Sequence, residues 1–291
     1  MRTFNHILVN TLITSVSNMF VWFAFVFWMY LETQSVLSTA FSGAIFMIVM
    51  SLSAFWFGSI VDHNRKKTVM LISSSATLFF FIAALLVYLS VDPVTFKNIG
   101  SPILWLFAGL GLAAVLAGNL RGIAIPTLVT LLVPEDRRDK ANGLVGMIMG
   151  LSSMGAGFAS GFTLAYLGMV WVLIIGITVT FVALIHLALQ HIEEAEIIHT
   201  PEKPKHIDIR GTISVIQGIP GLFALIFFTT FNNFLGGAFM ALMDAYGLSL
   251  MSVQLWGTLW GVLSSGFIIG GLILAKYGLG TSPLTTLFRI N

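Results

Sequence analysis

The chain has no cysteine among its 291 residues, which excludes disulfides, thiol catalysis, iron–sulfur clusters and cysteine-based zinc sites. Charge is nearly as scarce. Asp, Glu, Lys and Arg make up 9% of the sequence, where an average soluble domain carries about 25%. Long polar stretches are almost missing, the one exception being QHIEEAEIIHTPEKPKHIDIRG, Gln190 to Gly211. No phosphate-binding loop, metal-ligand cluster or nucleophile arrangement is present, because the Ser- and Gly-rich stretches lie inside apolar segments. No metal, cofactor or enzymatic activity is therefore expected. Nucleic-acid binding has no basis either, since the basic residues sit in short flanks of apolar segments and in the one polar stretch.

What is abundant is apolar sequence, at 57% of residues. A helix needs about 20 largely apolar residues to cross a bilayer. Eight segments qualify, near residues 6–31, 35–60, 68–91, 102–131, 142–167, 169–190, 219–244 and 252–275. The expected fold is all-α and integral to the membrane, with the lipid bilayer as its first partner. The opening MRTFNHILVN has one Arg and no small-residue cleavage pattern, so it reads as a retained first span. Pro126 is expected to kink or end the fourth span.

Basic residues collect on the cytoplasmic side of membrane proteins. With an inside N-terminus, Arg2, Arg65, Lys66, Lys67, Arg137, Arg138, Lys140, Lys203, Lys205, Arg210, Lys276 and Arg289 all fall on that side, only Lys97 falls outside, and Arg121 lies within a span. The chain is therefore expected in the plasma or inner membrane, with its N-terminus and Asn291 cytoplasmic. Three regions follow: residues 1–190 as a six-helix N-terminal half, 191–218 as a cytoplasmic linker ending in an interfacial helix, and 219–291 as the first two helices of an incomplete second half. A faint repeat links the halves. Asn18, Glu32 and Gly58 stand in one, and Asn232, Asn233, Asp244 and Gly270 in the other, with 26 residues from acid to glycine in both.

Between the second and third spans, FWFGSIVDHNRKKTVMLIS places Gly58, Asp62, Arg65, Lys66 and Lys67 in a tight connection. The basic trio suits anionic headgroups, Gly58 a close helix approach, and Asp62 a helix N-terminus or an Arg. This stretch resembles the G-x-x-x-D-R-x-G-R-K loop of the major facilitator superfamily. Gly58, Asp62, Lys66 and Lys67 keep its character, while His63 and Arg65 replace an Arg and a Gly. RGIAIPTLVTLLVPEDRRDKANGLVGMIMG, through Arg121, Pro126, Pro134, Asn142 and Gly143, resembles the drug-efflux branch typified by macrolide exporters. GGLILAKYGLG, with Gly271, Lys276 and Gly278, resembles the second copy of the loop motif.

The resemblance implies a bundle of two six-helix halves, of which this chain shows eight spans. The missing helices would come from the rest of the natural chain or from a partner. It also implies that Gly58, Asp62, Arg65, Lys66 and Lys67 form a gate on the cytoplasmic side. The family's antiporters carry G-x-x-x-G-P-x-x-G-G in the fifth span. Here GLSSMGAGFASG puts Gly155 at the second Gly, Ala156 at the Pro, and Ala159 and Ser160 at the last pair.

Five glycines of the fifth span, Gly146, Gly150, Gly155, Gly157 and Gly161, are spaced for close helix packing. Ionisable groups inside a bilayer are costly and mark functional candidates. Arg121 either snorkels to headgroups or faces a cavity and pairs with an acid or an anionic substrate. Glu32 and Asp244, at the ends of the first and seventh spans, are either headgroup-level acids or proton-binding carboxylates. Asn18, Asn232 and Asn233 serve helix association or substrate contact. Trp22, Phe25, Trp56 and Trp260 are candidates for a pocket for flat lipophilic molecules, with Trp22 placed beside Asn18 and Arg121 in the substrate cavity. Trp28, Tyr30 and Trp105 are expected to face lipid or the interface, and His186 to be a packing residue.

The expected function is secondary transport: export of lipophilic small molecules of the drug type, driven by proton antiport through alternating access. The alternatives are a truncated remnant or interaction subunit without transport, and an importer on the same fold.

Overall fold

The computed structural model describes residues 2–134, 138–190, 209–219 and 221–277. Every regular element among them is helical. In chain order these are α1 (Arg2–Thr33), α2 (Val36–His63), α3 (Lys66–Ser90), a 3-10 turn (Pro93–Lys97), α4 (Pro102–Leu132), α5 (Arg138–Leu167), α6 (Met169–Leu189), α7 (Ile209–Gly218), α8 (Leu222–Leu250), α9 (Val253–Leu263) and α10 (Ser265–Tyr277). Among the described residues, eight spans are long and apolar enough to cross a membrane, with α9 and α10 together forming the last. The all-helical membrane bundle expected from hydropathy is what the chain forms. The polar stretch up to residue 208, and the end of the chain from Gly278, lie outside the described residues.

Helix α1 is the axis of the bundle and touches α2, α4, α5, α6 and α8. Its run from Phe23 to Tyr30 is buried at every position, so it is apolar all round rather than on one stripe. At one end, an aromatic cluster locks α1 to α3 and α4. Asp92 accepts a hydrogen bond from the Val94 N–H at 2.9 Å and starts the 3-10 turn. The turn folds Phe96 onto the ring of Tyr88, stacked at 5.1 Å between centres, and against the edge of Trp28 at 5.4 Å. Trp28 also meets Phe107 at 4.9 Å. Trp28 and Tyr30 are therefore core residues, not the lipid-facing belt expected of them, with Phe96 of this turn and Phe107 of α4 covering Trp28.

Reversals between helices are tight. Ser35 Oγ accepts from the Ser38 N–H and caps α2, after Gln34 turns the chain at φ 48°. A single residue, Gly168 at φ 80°, separates α5 from α6, and its N–H reaches the carbonyls of Thr163 and Leu164 at 3.1 and 3.2 Å. Pro126 does not end α4, which runs on to Leu132.

Helix α5 joins α1 on one side to α9 and α10 on the other. That second seam is glycine on glycine. A Cβ at Gly157 would stand 2.9 Å from the Gly257 carbonyl oxygen, and one at Gly161 would stand 2.6 Å from that of Val253. One at Gly150 would lie 2.7 Å from the Ile268 nitrogen. Gly146 and Gly155 have open space instead. Small residues let backbones touch where van der Waals contact is the main force between helices.

Helix α8 behaves differently: its most apolar stretch has no buried residue among those described. Along it Phe227, Phe231, Phe234 and Phe239 are exposed.

Candidate functional site

Polar residues of α1 recur in steps of three and four: Asn10, Thr11, Thr14, Ser15 and Asn18. They share one helix face, and the stripe from Asn10 to Asn18 covers about 12 Å of helix axis. Thr11, Thr14, Ser15 and Asn18 of this stripe line a cavity of about 140 Å³ with Arg121 of α4, Ser73, Ser74 and Thr77 of α3, and Thr180 of α6. Val145, Ile148 and Met149 of α5 close its apolar side. Gly122, Pro126 and Met149 are exposed and mark its mouth.

Arg121 is only 4% exposed. One terminal nitrogen donates to Asn10 Oδ1 and to Thr14 Oγ1, the second at 3.0 Å, and the other donates to Ser74 Oγ at 3.2 Å. Asn10 passes the connection on, with Nδ2 donating to the Ala183 carbonyl at 2.8 Å and lying 3.0 Å from His186 Nδ1. Four helices, α1, α3, α4 and α6, are thus tied together through one guanidinium. Arg121 lines the cavity. Its partners are neutral oxygens, and no carboxylate pairs with it among the described residues.

Asn18 lines the same cavity. Its Nδ2 donates to the Val115 carbonyl at 3.3 Å, and its Oδ1 is buried with no donor. Close approach of α1 to α4 depends on Gly118, where a Cβ would fall 2.7 Å from the Asn18 amide. The other candidate cavity residues are placed elsewhere. Trp22 packs on Phe46 of α2 at 4.4 Å, and Asn232 and Asn233 lie on the exposed face of α8, where Asn233 bonds to Thr229 of its own helix. Phe25 is a core residue and Trp56 is 62% exposed.

A second polar centre forms around Asp244. Helix α8 does not stop there but continues to Leu250, so the carboxylate lies inside the span. Its Oδ1 accepts from the indoles of Trp256 and Trp260, at 2.9 and 2.8 Å. Trp260 in turn meets Phe23 of α1 at 5.4 Å. The carboxylate is buried in an aromatic surround that joins α8, α9 and α1. Glu32 sits half-buried in the last turn of α1, and no hydrogen bond to it occurs among the described residues.

In the connection between α2 and α3, Gly58 is half-buried with open space beside it, while Asp62 and Arg65 are exposed. Lys66 is buried, and its Nζ donates to the Val61 and Asn64 carbonyls at the end of α2. Lys67 Nζ donates to the Ala188 and Gln190 carbonyls at the end of α6, at 3.0 and 2.6 Å. Lysines at helix C-termini neutralise the last carbonyls. Lys67→Met should therefore cost about 1 kcal/mol, read as a lower melting temperature of the purified protein. An unchanged melt would show that the α6 end is capped equally well by solvent.

Sequence reasoning missed Asn10, Thr14, Ser74 and Trp256. The stepwise polar residues of α1 were a signal that could have found the first two. No local signal points from Asp244 to Trp256, because that bond is made between two spans.

These helices enclose a polar cavity and two buried charged groups at membrane depth, the anatomy of a polytopic transporter. The family model of the Major Facilitator Superfamily matches residues 7–289, nearly the whole chain, and the chain belongs to that superfamily. It is accordingly a multi-pass membrane transporter, from a family whose members are transporters and not enzymes. No curated protein and no solved structure matches it significantly.

Proposed function

We propose that the protein is a secondary transporter that exports lipophilic small molecules by proton antiport, with its halves rocking about a site near the middle of the membrane. The observation that carries this reading is Asp244. A carboxylate buried inside a span is costly and binds a proton where bulk water is excluded. Two indole donors from α9 hold it, one of them packed against Phe23 of α1. Resemblance through Arg121, Pro126, Pro134, Asn142 and Gly143 supports the drug-efflux branch. The side bearing Arg65, Lys66 and Lys67 is then cytoplasmic, with those residues as the gate, and the membrane is the cell's own.

Asn232 on the exposed face of α8 supports the same reading, since an amide facing lipid would leave its hydrogen bonds unmet. The face either lines a wet cavity or meets further helices of a longer chain or a partner. Ala156 at the position of the antiporters' proline favours import as the second reading.

Proteoliposomes carrying the protein, with an acidic lumen, are expected to accumulate a lipophilic dye and to release it when nigericin collapses the pH gradient. Dye movement equal to that of empty liposomes, or indifferent to the gradient, would overturn proton-driven export.

A further inference from the structure

We infer that the cavity beside Arg121 is an anion site, which takes a carboxylate or another monoanionic group of a small molecule against the guanidinium. The inference rests on the transporter reading for the ligand being cargo; the binding itself does not need it.

Five N–H groups are available on a guanidinium. Here three hydrogen bonds go to neutral oxygens, of Asn10, Thr14 and Ser74, which leaves two N–H groups over. Neutral acceptors satisfy the donors but not the charge, and a buried charge without a counter-charge is among the costliest things a protein can hold. Among the described residues none supplies one, and no Asp or Glu lines the cavity. The remedy for such a site is a mobile anion. Thr11 adds a second observation, since its Oγ1 is buried in the cavity wall with no hydrogen-bond partner and can donate to an anion oxygen.

Size narrows the ligand. The cavity measures about 140 Å³, and a cavity of about 150 Å³ holds a benzene ring. The exposed mouth at Gly122 and Pro126 lets a ligand extend outward. A chloride ion and an aromatic carboxylate both fit, and both offer the same monoanionic chemistry.

Benzoate and benzamide have nearly the same shape and differ in charge, so they separate charge recognition from pocket filling. Calorimetric titration of the purified full chain, in chloride-free buffer at neutral pH, is expected to show saturable benzoate binding, with benzamide about tenfold or more weaker. Arg121→Gln should abolish the benzoate signal. Because that variant also cuts the link between four helices, Gly122→Phe is the second arm: a Cβ there meets nothing within 4 Å, all the Arg121 hydrogen bonds remain, and the ring plugs the mouth. It should weaken benzoate about tenfold or more.

Added chloride that competes with benzoate would assign the site to inorganic anions, and chloride without effect would assign it to organic carboxylates. Equal binding of benzoate and benzamide overturns the inference. So does benzoate binding unchanged in both variants, or no binding of either benzoate or chloride. Benzoate binding without dye transport would leave the anion site standing and remove the transporter reading. Gradient-driven dye transport without any anion binding would do the reverse.

Discussion

Gly257→Ala is expected to yield little folded protein. The added Cβ would stand 2.4 Å from the Gly157 carbonyl oxygen and 3.1 Å from Gly161 Cα. Both are backbone atoms, so no side-chain rotation relieves the overlap and α9 must move away from α5. Overpacking of a tight site costs about 1–3 kcal/mol, and the backbone setting puts this one at the upper end. The separation would also loosen the neighbouring contacts of Gly161 and Gly261 along the same seam. Gly146→Ala and Gly155→Ala on α5 provide the opposite sign, since their added Cβ atoms meet nothing within 4 Å. Alanine is a better helix former than glycine by about 1 kcal/mol, so those two should be neutral or slightly stabilising. Thermal melting and the monodisperse fraction on size exclusion would compare the three. Equal tolerance at all three positions would mean that α5 and α9 do not meet in glycine contact.

That contrast shows how far a sequence reaches. Repeating glycines on the fifth span announce a packing face, and the face is there, yet Gly150, Gly157 and Gly161 meet a neighbour while Gly146 and Gly155 do not. Spacing defines a stripe along one helix; where α9 and α10 cross it is a property of the assembled bundle, which that helix alone does not carry. The spans themselves were legible because hydropathy and length are properties of each segment alone. Helix α8 was cut short at Asp244 because a charge looks like a boundary, until two indoles from another span satisfy it. The faint repeat likewise joins residues whose settings differ, with Asn18 in the cavity wall and Asn232 exposed.

Arg121 and Asp244 are the two buried charged groups that lie furthest from any loop, and they do not pair with each other. Each is held by neutral donors or acceptors. A fixed ion pair would neutralise both groups permanently and leave nothing to exchange. On the proposed reading, one exchanges a proton and the other an anion, and each exchange changes the charge buried in its own part of the bundle. Such a change is what shifts a balance between two conformations, since a ligand moves an equilibrium only by binding the two states unequally.

Asp244→Asn is expected to fold normally and to lose gradient-driven transport. The amide keeps an oxygen that can accept from the indoles of Trp256 and Trp260, now at 2.9 and 2.8 Å, but it cannot take up or release a proton. Dye binding should persist, and dye should equilibrate across the membrane without accumulating. Asp244→Ala is a different experiment. It removes the acceptor and strands the indole N–H of Trp256, a residue only 4% exposed. Interhelical hydrogen bonds within membranes average about 0.6 kcal/mol each, and an unmet buried donor adds to that, so the loss should be about 1–2 kcal/mol. The two variants therefore separate the structural role of the oxygen from the role of the proton: alanine lowers the melting temperature, asparagine does not, and both abolish accumulation. Full accumulation by Asp244→Asn would move the proton site to Glu32, the other candidate carboxylate, and Glu32→Gln would then be the variant that loses it. The indoles would in that case hold Asp244 for packing alone, joining α8 to α9 as Arg121 joins α4 to α1.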